Sequence, residues 1–151
     1  MTESTANAAT TVPGGGRQLP DLYQSGRFVT SIGLRLDEVT GSRVHGFLDL
    51  DEEHHTPWGV VHGGVYTTVI ESVASIGASA AVLDRGEFAV GVNNNTDFLR
   101  SAKRGRAEVL AEPLHQGRSQ QLWHAVITRV EDGKPLARGT VRLQNLPLES
   151  S

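Results

Sequence analysis

Trp58–Ser79 reads WGVVHGGVYTTVIESVASIGAS, and the change of texture inside this stretch decides the fold. From Gly63 to Leu83 small and apolar residues dominate, and Glu71 is the only charge before Asp84. The run VYTTVIESVASIGASAAVL is long enough for a helix of about five turns at roughly 3.6 residues per turn. A helix apolar nearly all round is expected to be buried nearly all round. A membrane span is the competing reading, but the hydroxyls, the glycines and the central carboxylate argue against it, and no membrane partner is expected.

Working outward, Ser31–Asp51 alternates in the manner of two strands. Ile32, Leu34 and Leu36 share one face, as do Val44, Leu48 and Leu50 with Gly46 between them, and Thr40-Gly41-Ser42 turns one run into the other. Phe47 falls on the opposite face, so the second strand is expected to be partly covered on both sides. Glu52–Thr56 reads as a polar turn closed by Pro57, and Leu19–Phe28 as a short helix or turn. Downstream, Glu87–Leu99, Gly105–His115, Ser119–Glu131 and Pro135–Leu146 read as strands separated by turn signals. Two strands, one long helix and four strands in a meander give an α+β fold: one antiparallel sheet wrapped on a central helix.

With 151 residues, 38% apolar and 21% charged, the chain is an ordinary globular protein with a core sufficient for one domain, expected over residues 19–148. Residues 1–18 have the Ser/Thr/Ala/Gly composition of a disordered leader, with neither the basic start nor the apolar centre of a signal peptide. The triple glycine Gly14–Gly16 lacks the Lys-Ser/Thr ending of a phosphate loop and reads as a linker. A net charge of -3 without a basic stripe argues against a nucleic-acid partner. The absence of cysteine excludes disulfides and thiol catalysis, and fits a cytoplasmic location. His54, His55 and His62 match no helical metal motif, so no metal is expected.

Glu71 is the residue most in need of an explanation. A carboxylate on an apolar helix loses hydration, and such groups are either paired or used. No Lys or Arg lies between Trp58 and Leu83. The structural alternative is hydrogen bonding to Thr67 and Ser75, one turn away on either side, or an ion pair with Arg100, Arg118 or Arg138. His62-Gly63-Gly64 stands where the helix must begin. Backbone N–H groups there are unpaired and partially positive, and glycines admit a ligand close to them, which suits an oxyanion site. Gly63 and Glu71 are about 12 Å apart along one helix at roughly 1.5 Å per residue, too far for one acyl carbonyl to touch both. If both serve one reaction, two helices must pair antiparallel across a two-fold axis.

W-G-x-V-H-G-G, the eight-residue step to Glu71 and the Ser75 four further on resemble the hotdog-fold acyl-CoA thioesterases. The resemblance points to the phenylacetate-degradation type, which includes one class of 4-hydroxybenzoyl-CoA thioesterases and the 1,4-dihydroxy-2-naphthoyl-CoA thioesterases. It runs from about Ser31 to Leu146 and takes in VGVNNNTDFLRSAKRG (Val90–Gly105) and AEPLHQGRSQQLWHAVI (Ala111–Ile127). It implies that Glu71 attacks the thioester or activates water and that the Gly63 N–H binds the thioester oxygen. It further implies that His62 polarises or positions the thioester, and that Ser75 holds water or the carboxylate. The expected reaction is hydrolysis of an aryl- or medium-to-long-chain acyl-CoA. Coenzyme A enters as part of the substrate with no further cofactor, and the assembly is a dimer or a dimer of dimers. The alternatives are a non-catalytic acyl-CoA-binding module and, further off, an acyl-thioester dehydratase or hydratase.

Relatives often carry Gln where this chain has Thr56, which leaves acyl preference open. Gly64 joins the substrate set through the loop. Arg100 with Ser101, and the turn of His115, Gly117, Arg118 and Ser119, are candidates for coenzyme A phosphates, because arginines and hydroxyls bind phosphate well. Their alternative is a solvated turn. Asn93–Asn95 could line the cavity, with Asn95 taken as the contact, or hold neighbouring loops. Trp58 and Trp123 are read as packing residues.

Overall fold

In the computed structural model, which describes residues 19–149, the long apolar run is a single helix, Gly63–Val82. The elements in chain order are α1 (Gly26–Ser31), β1 (Arg35–Val39), β2 (Val44–Leu50), α2 (Gly63–Val82), β3 (Glu87–Phe98), β4 (Gly105–Gln116), β5 (Gln120–Arg129) and β6 (Pro135–Pro147). The expected leader and Gly14–Gly16 lie outside the described residues. The short helix or turn expected over Leu19–Phe28 is a turn at Asp21–Gln24 leading into α1, which begins within that range at Gly26 and runs on to Ser31.

All six strands form one antiparallel sheet in the order β1-β2-β4-β5-β6-β3. The four-strand meander therefore has to be corrected. β4, β5 and β6 do form a meander, but β3 pairs with β6 rather than β4. The segment between β3 and β4 crosses over so that β4 joins β2. The crossover keeps both halves of the sheet on one helix and leaves β3 as an edge.

α2 has two chemically distinct sides, so burial nearly all round is also corrected. Val69, Ile70, Val73, Ala74 and Ala78 are fully buried against the sheet. Thr67, Thr68, Glu71, Ser72, Ser75 and Ile76 are only partly covered. Three of the hydroxyls on that second side satisfy themselves within the helix: Thr67 to the Gly63 carbonyl, Thr68 to Gly64 and Ser72 to Thr68. They need no covering element. α2 is long and apolar enough to cross a membrane, yet its apolar side is spent on the sheet.

The sheet face under α2 is built for close approach. Val44, Ala111, Ala125 and Gly139 are cross-strand neighbours in one row, all buried, and their small side chains leave space for a helix. The Trp123 ring fills the volume beside them and is itself fully buried, with its indole N–H donating to Gln121 Oε1 at 2.9 Å. Ser79 ties the helix to β3, accepting from the Ala89 N–H at 3.0 Å. On the outer face, Arg106 and Arg35 lie 4.5 and 5.4 Å from the Phe47 ring centroid. They cover that residue as expected, by cation–π contact. The hydrogen bond from Arg106 also holds the Asp49 carboxyl below its usual range.

Gly77 is where helix and sheet come closest. A Cβ there would stand 2.5 and 2.6 Å from Trp123 ring carbons and 2.9 Å from a Val44 methyl. Gly77→Ala gains about 1 kcal/mol in helix propensity. Overpacking exceeds that gain, and a net loss of about 1–2 kcal/mol is expected in urea unfolding.

Candidate active site

The loop before α2 is a closed turn. The Thr56 N–H donates to the Val60 carbonyl at 2.7 Å, Gly59 returns to the Thr56 carbonyl at 3.0 Å, and the Trp58 N–H meets Thr56 Oγ1 at 3.3 Å. Gly59 takes a φ of +75°, which favours glycine. The Thr56 hydroxyl is thus engaged with its own loop, and Trp58 projects from the apex, 87% exposed. Trp58 is therefore not a packing residue within this chain, whereas Trp123 is. The hairpin-like turn between Thr56 and Val60 turns the indole away from the core.

His62 precedes the helix in extended conformation and caps it, Nδ1 accepting from the Gly64 N–H at 2.8 Å. With Nδ1 an acceptor, the neutral ring carries its proton on Nε2, which has no hydrogen-bond partner among the described residues. The Val65 N–H is taken by the His62 carbonyl at 3.0 Å. Among the described residues, the Gly63 N–H is left without a hydrogen-bond partner. The Phe98 ring lies on Gly63, where a Cβ would meet it at 2.5 Å, and Phe98 in turn packs on Tyr66 with ring centroids 6.1 Å apart. Burial pushes the Tyr66 phenol above its ordinary value, with the Arg129 charge opposing.

Glu71 sits midway along α2 on its partly open side. None of the structural partners considered from sequence serves it. Thr67 bonds the Gly63 carbonyl, and Arg100 donates to the Pro135 carbonyl at 2.9 Å. No Glu71 ion pair occurs among the described residues. The carboxylate instead accepts from Asn94 Nδ2 at 3.0 Å. Asn94 also reaches the Thr67 carbonyl at 3.3 Å and is oriented by the Thr96 hydroxyl, which donates to Asn94 Oδ1 at 2.7 Å. The other carboxylate oxygen lies directly over Gly91, in the space a side chain there would occupy.

A bulge in β3 makes this possible. The register against β6 steps from Gly91↔Leu143 to Asn93↔Arg142, leaving Val92 unpaired. Before the bulge Ala89 and Gly91 face α2; after it Asn94, Thr96 and Phe98 do, opposite buried Val141, Gly139 and Ala137. Asn95 is carried to the exposed face. Sequence reading had singled out the triplet but named Asn95; the missed residue is Asn94. Plain alternation from Ala89 points to Asn93 and Asn95, and only the glycine ahead of the bulge could have signalled the change of phase.

Glu71 and Ser75 open into a groove of about 740 Å³ with Gly64 at one end and Phe28, Val29 and Ile76 as apolar walls. α1 closes its side. The coenzyme A candidates fall in two places. Arg100 and Ser101 lie in the crossover beside the start of α2, where the Val61 N–H donates to the Ala102 carbonyl. The turn of His115, Gly117, Arg118 and Ser119 lies towards the other end, where Gln121 reaches the Ala78 carbonyl. One chain keeps these groups apart by about 22 Å of helix. His54 and His55 do not converge with His62 on a metal site. His54 is buried between the Asp51 N–H and the Ile32 carbonyl, and His55 donates to the Lys103 carbonyl at 2.6 Å.

The thioesterase superfamily model matches residues 59–136. The chain is 48% identical to the Rv1847 protein of Mycobacterium tuberculosis over 121 residues, covering 79% of this chain and 86% of that one. The solved structure of that protein superposes with a TM-score of 0.78, at 46% identity over 81% of this chain and 98% of the other. A 1,4-dihydroxy-2-naphthoyl-CoA hydrolase of Listeria monocytogenes is 34% identical over 98 residues, 65% of this chain and 79% of that one. The structure of thioesterase HI1161 from Haemophilus influenzae gives a TM-score of 0.76 at 27% identity, covering 82% and 85%.

Gly91→Ala tests the placement of the carboxylate. The new methyl meets the flexible end of Glu71 rather than backbone, so stability should stay within about 1 kcal/mol while kcat for thioester hydrolysis falls by about 10-fold or more.

Proposed function

This chain belongs to the thioesterase superfamily and is a thioester hydrolase, and from that premise we propose that it hydrolyses an acyl-CoA at sites shared between two copies. The acyl group is an aryl or medium-to-long one, placed in the groove walled by Phe28, Val29 and Ile76. The resemblance at Trp58–Ser75 and the Listeria hydrolase favour the phenylacetate-degradation branch and an aryl thioester. The observation that carries the reading is the state of Glu71: it has no cationic partner among the described residues and is oriented by one neutral amide, Asn94. A carboxylate held in this way is oriented without a cation occupying its oxygens, which leaves them available to a substrate or a water.

Two routes use the same geometry. In one, Glu71 attacks the thioester carbon, the coenzyme A thiolate leaves, and water cleaves the resulting anhydride. In the other, Glu71 takes a proton from a water as that water attacks. In both the carbonyl oxygen gains charge, which the Gly63 N–H stabilises, with His62 Nε2–H positioned to polarise the same oxygen. Ser75, one turn beyond Glu71 in the groove, holds the water or the carboxylate. Solvent oxygen-18 appearing in Glu71 during a single turnover identifies the first route.

The two-chain arrangement follows from the separation along α2. Antiparallel helices would bring the Gly63 end of one chain to Glu71 of the other, and Arg100 and Ser101 towards the partner's turn of Gly117–Ser119. β3 is an open edge available for such a pairing, with Val92 and Phe98 exposed along it.

Two variants check this. Glu71→Ala abolishes thiol release from a panel of acyl-CoAs. Gly63→Pro, made together with Phe98→Ala because a Cβ at residue 63 would meet the Phe98 ring at 2.5 Å, removes the N–H donor at the first helical position, where proline is tolerated after an extended residue, and lowers kcat by about 10²–10³-fold relative to Phe98→Ala alone. Co-expressed, the two inactive chains should recover about one quarter of wild-type activity, because half of randomly paired dimers carry one intact site. No recovery, or a fully active monomer, removes the shared site.

A further inference from the structure

A buried chain of amides runs from α2 to the turn at Gly117–Ser119. Gln121, 1% exposed, donates through Nε2 to the Ala78 carbonyl and to Asn145 Oδ1, both at 2.9 Å. Its Oε1 accepts from the Trp123 indole at 2.9 Å and from Gln116 Nε2 at 3.2 Å. Asn145, 6% exposed, then holds the turn: Nδ2 reaches the Arg118 carbonyl at 3.2 Å and the Gly117 carbonyl at 3.4 Å, and its N–H reaches the Ser119 carbonyl at 2.8 Å. Arg85 adds a second bond to the Arg118 carbonyl at 3.1 Å. The turn closes on itself through the Gly117 N–H to the Gln120 carbonyl at 2.8 Å.

The result is directional. Three successive carbonyls, Gly117 to Ser119, are drawn inward and occupied. Among the described residues, the Arg118 and Ser119 N–H groups have no partner, and neither has the Arg118 guanidinium or the Ser119 hydroxyl. Gly117 has to be small, since a Cβ would stand 2.9 Å from both the Gln120 carbonyl and the His115 ring. Burying two amides in a core that apolar residues could fill is costly unless every group is satisfied. A surface turn would close without them. What they add is the orientation of the peptide planes.

We propose that Asn145, backed by Gln121, is a positioning residue that keeps this turn as a nest of outward N–H donors for a phosphate of the substrate's nucleotide. The proposal rests on the acyl-CoA reading of the site. It goes beyond that reading in assigning a function to two core amides that touch no substrate. A nest with Arg118 beside it suits a permanent, multiply charged oxyanion. The amide chain ends on Ala78, seven residues from Glu71, so the same contacts set the distance between the nucleotide end and the reacting carbonyl.

The test compares substrates with and without a nucleotide. In Asn145→Asp the carboxylate repels the carbonyls that Asn145 Nδ2 now holds. KM for an acyl-CoA should rise about 10-fold, equivalent to ~1.4 kcal/mol, with kcat within about two-fold. The corresponding acyl N-acetylcysteamine thioester, which has no phosphate, should keep its kcat/KM. Equal losses on both substrates would make Asn145 merely structural and overturn the proposal. Should the variant fail to fold, titration of the wild-type protein with adenosine 3′,5′-bisphosphate decides. The Arg118 and Ser119 amide resonances shift if the nest is real, and unmoved resonances overturn it. Wild type that binds the bisphosphate there yet hydrolyses no acyl-CoA would refute the thioesterase substrate and leave the nest standing.

Discussion

The contact of Gly77 with Trp123 is the constraint on which the rest of the molecule depends. A helix that lies this near a sheet leaves little thickness for side chains between them, so the row beneath it is made of small residues, Val44, Ala111, Ala125 and Gly139. The Trp123 ring has to sit to one side. Depth on that side is matched by exposure on the other. Once α2 is pressed onto the sheet through Val69, Ile70, Val73 and Ala74, its other face is met at one margin by the edge strand β3, through Asn94 and Gly91, and is otherwise left partly open. The candidate site, with Glu71 and Ser75, lies on that partly open face.

The fold was largely legible in the sequence because its signals are additive. Alternation at Val44–Leu50, turn residues between strands and one long apolar run each contribute independently, and all three agree. What escaped is non-additive. The order of the strands depends on a crossover at Leu99–Arg104, which has no periodicity. The extent of burial of α2 depends on three hydroxyls turning back to their own helix rather than seeking partners. Trp58 was misjudged because composition reports that a residue is apolar, whereas the turn between Thr56 and Val60 decides which way it points.

The candidate site divides in the same way. His62, Gly63, Glu71 and Ser75 share one stretch of chain, so spacing alone could place them. Asn94 could not be placed so, because its relation to Glu71 passes through a sheet register with one residue inserted. A bulge reverses the face of every residue beyond it, and period-two reading carries the wrong phase from Val92 onward. Asn145 and Gln121 were invisible for a different reason. Amides within strands look like ordinary exposed residues until the strands are assembled.

The start of α2 has fewer donors to offer than a bare helix terminus. His62 consumes the Gly64 N–H and its carbonyl takes Val65, so a single backbone donor, that of Gly63, remains. A standing phosphate or carboxylate, which needs several donors to replace its hydration, gains little from one. A carbonyl oxygen that becomes charged only fleetingly needs no more than that. In the proposed reaction the protein therefore sorts its two anionic guests by lifetime: the sparse helix start ignores resting anions, and the generous turn at Gly117–Ser119 retains them. In that proposed reaction, capping by a histidine, ordinarily a matter of helix stability, would also keep the substrate's own phosphates from competing for the helix start.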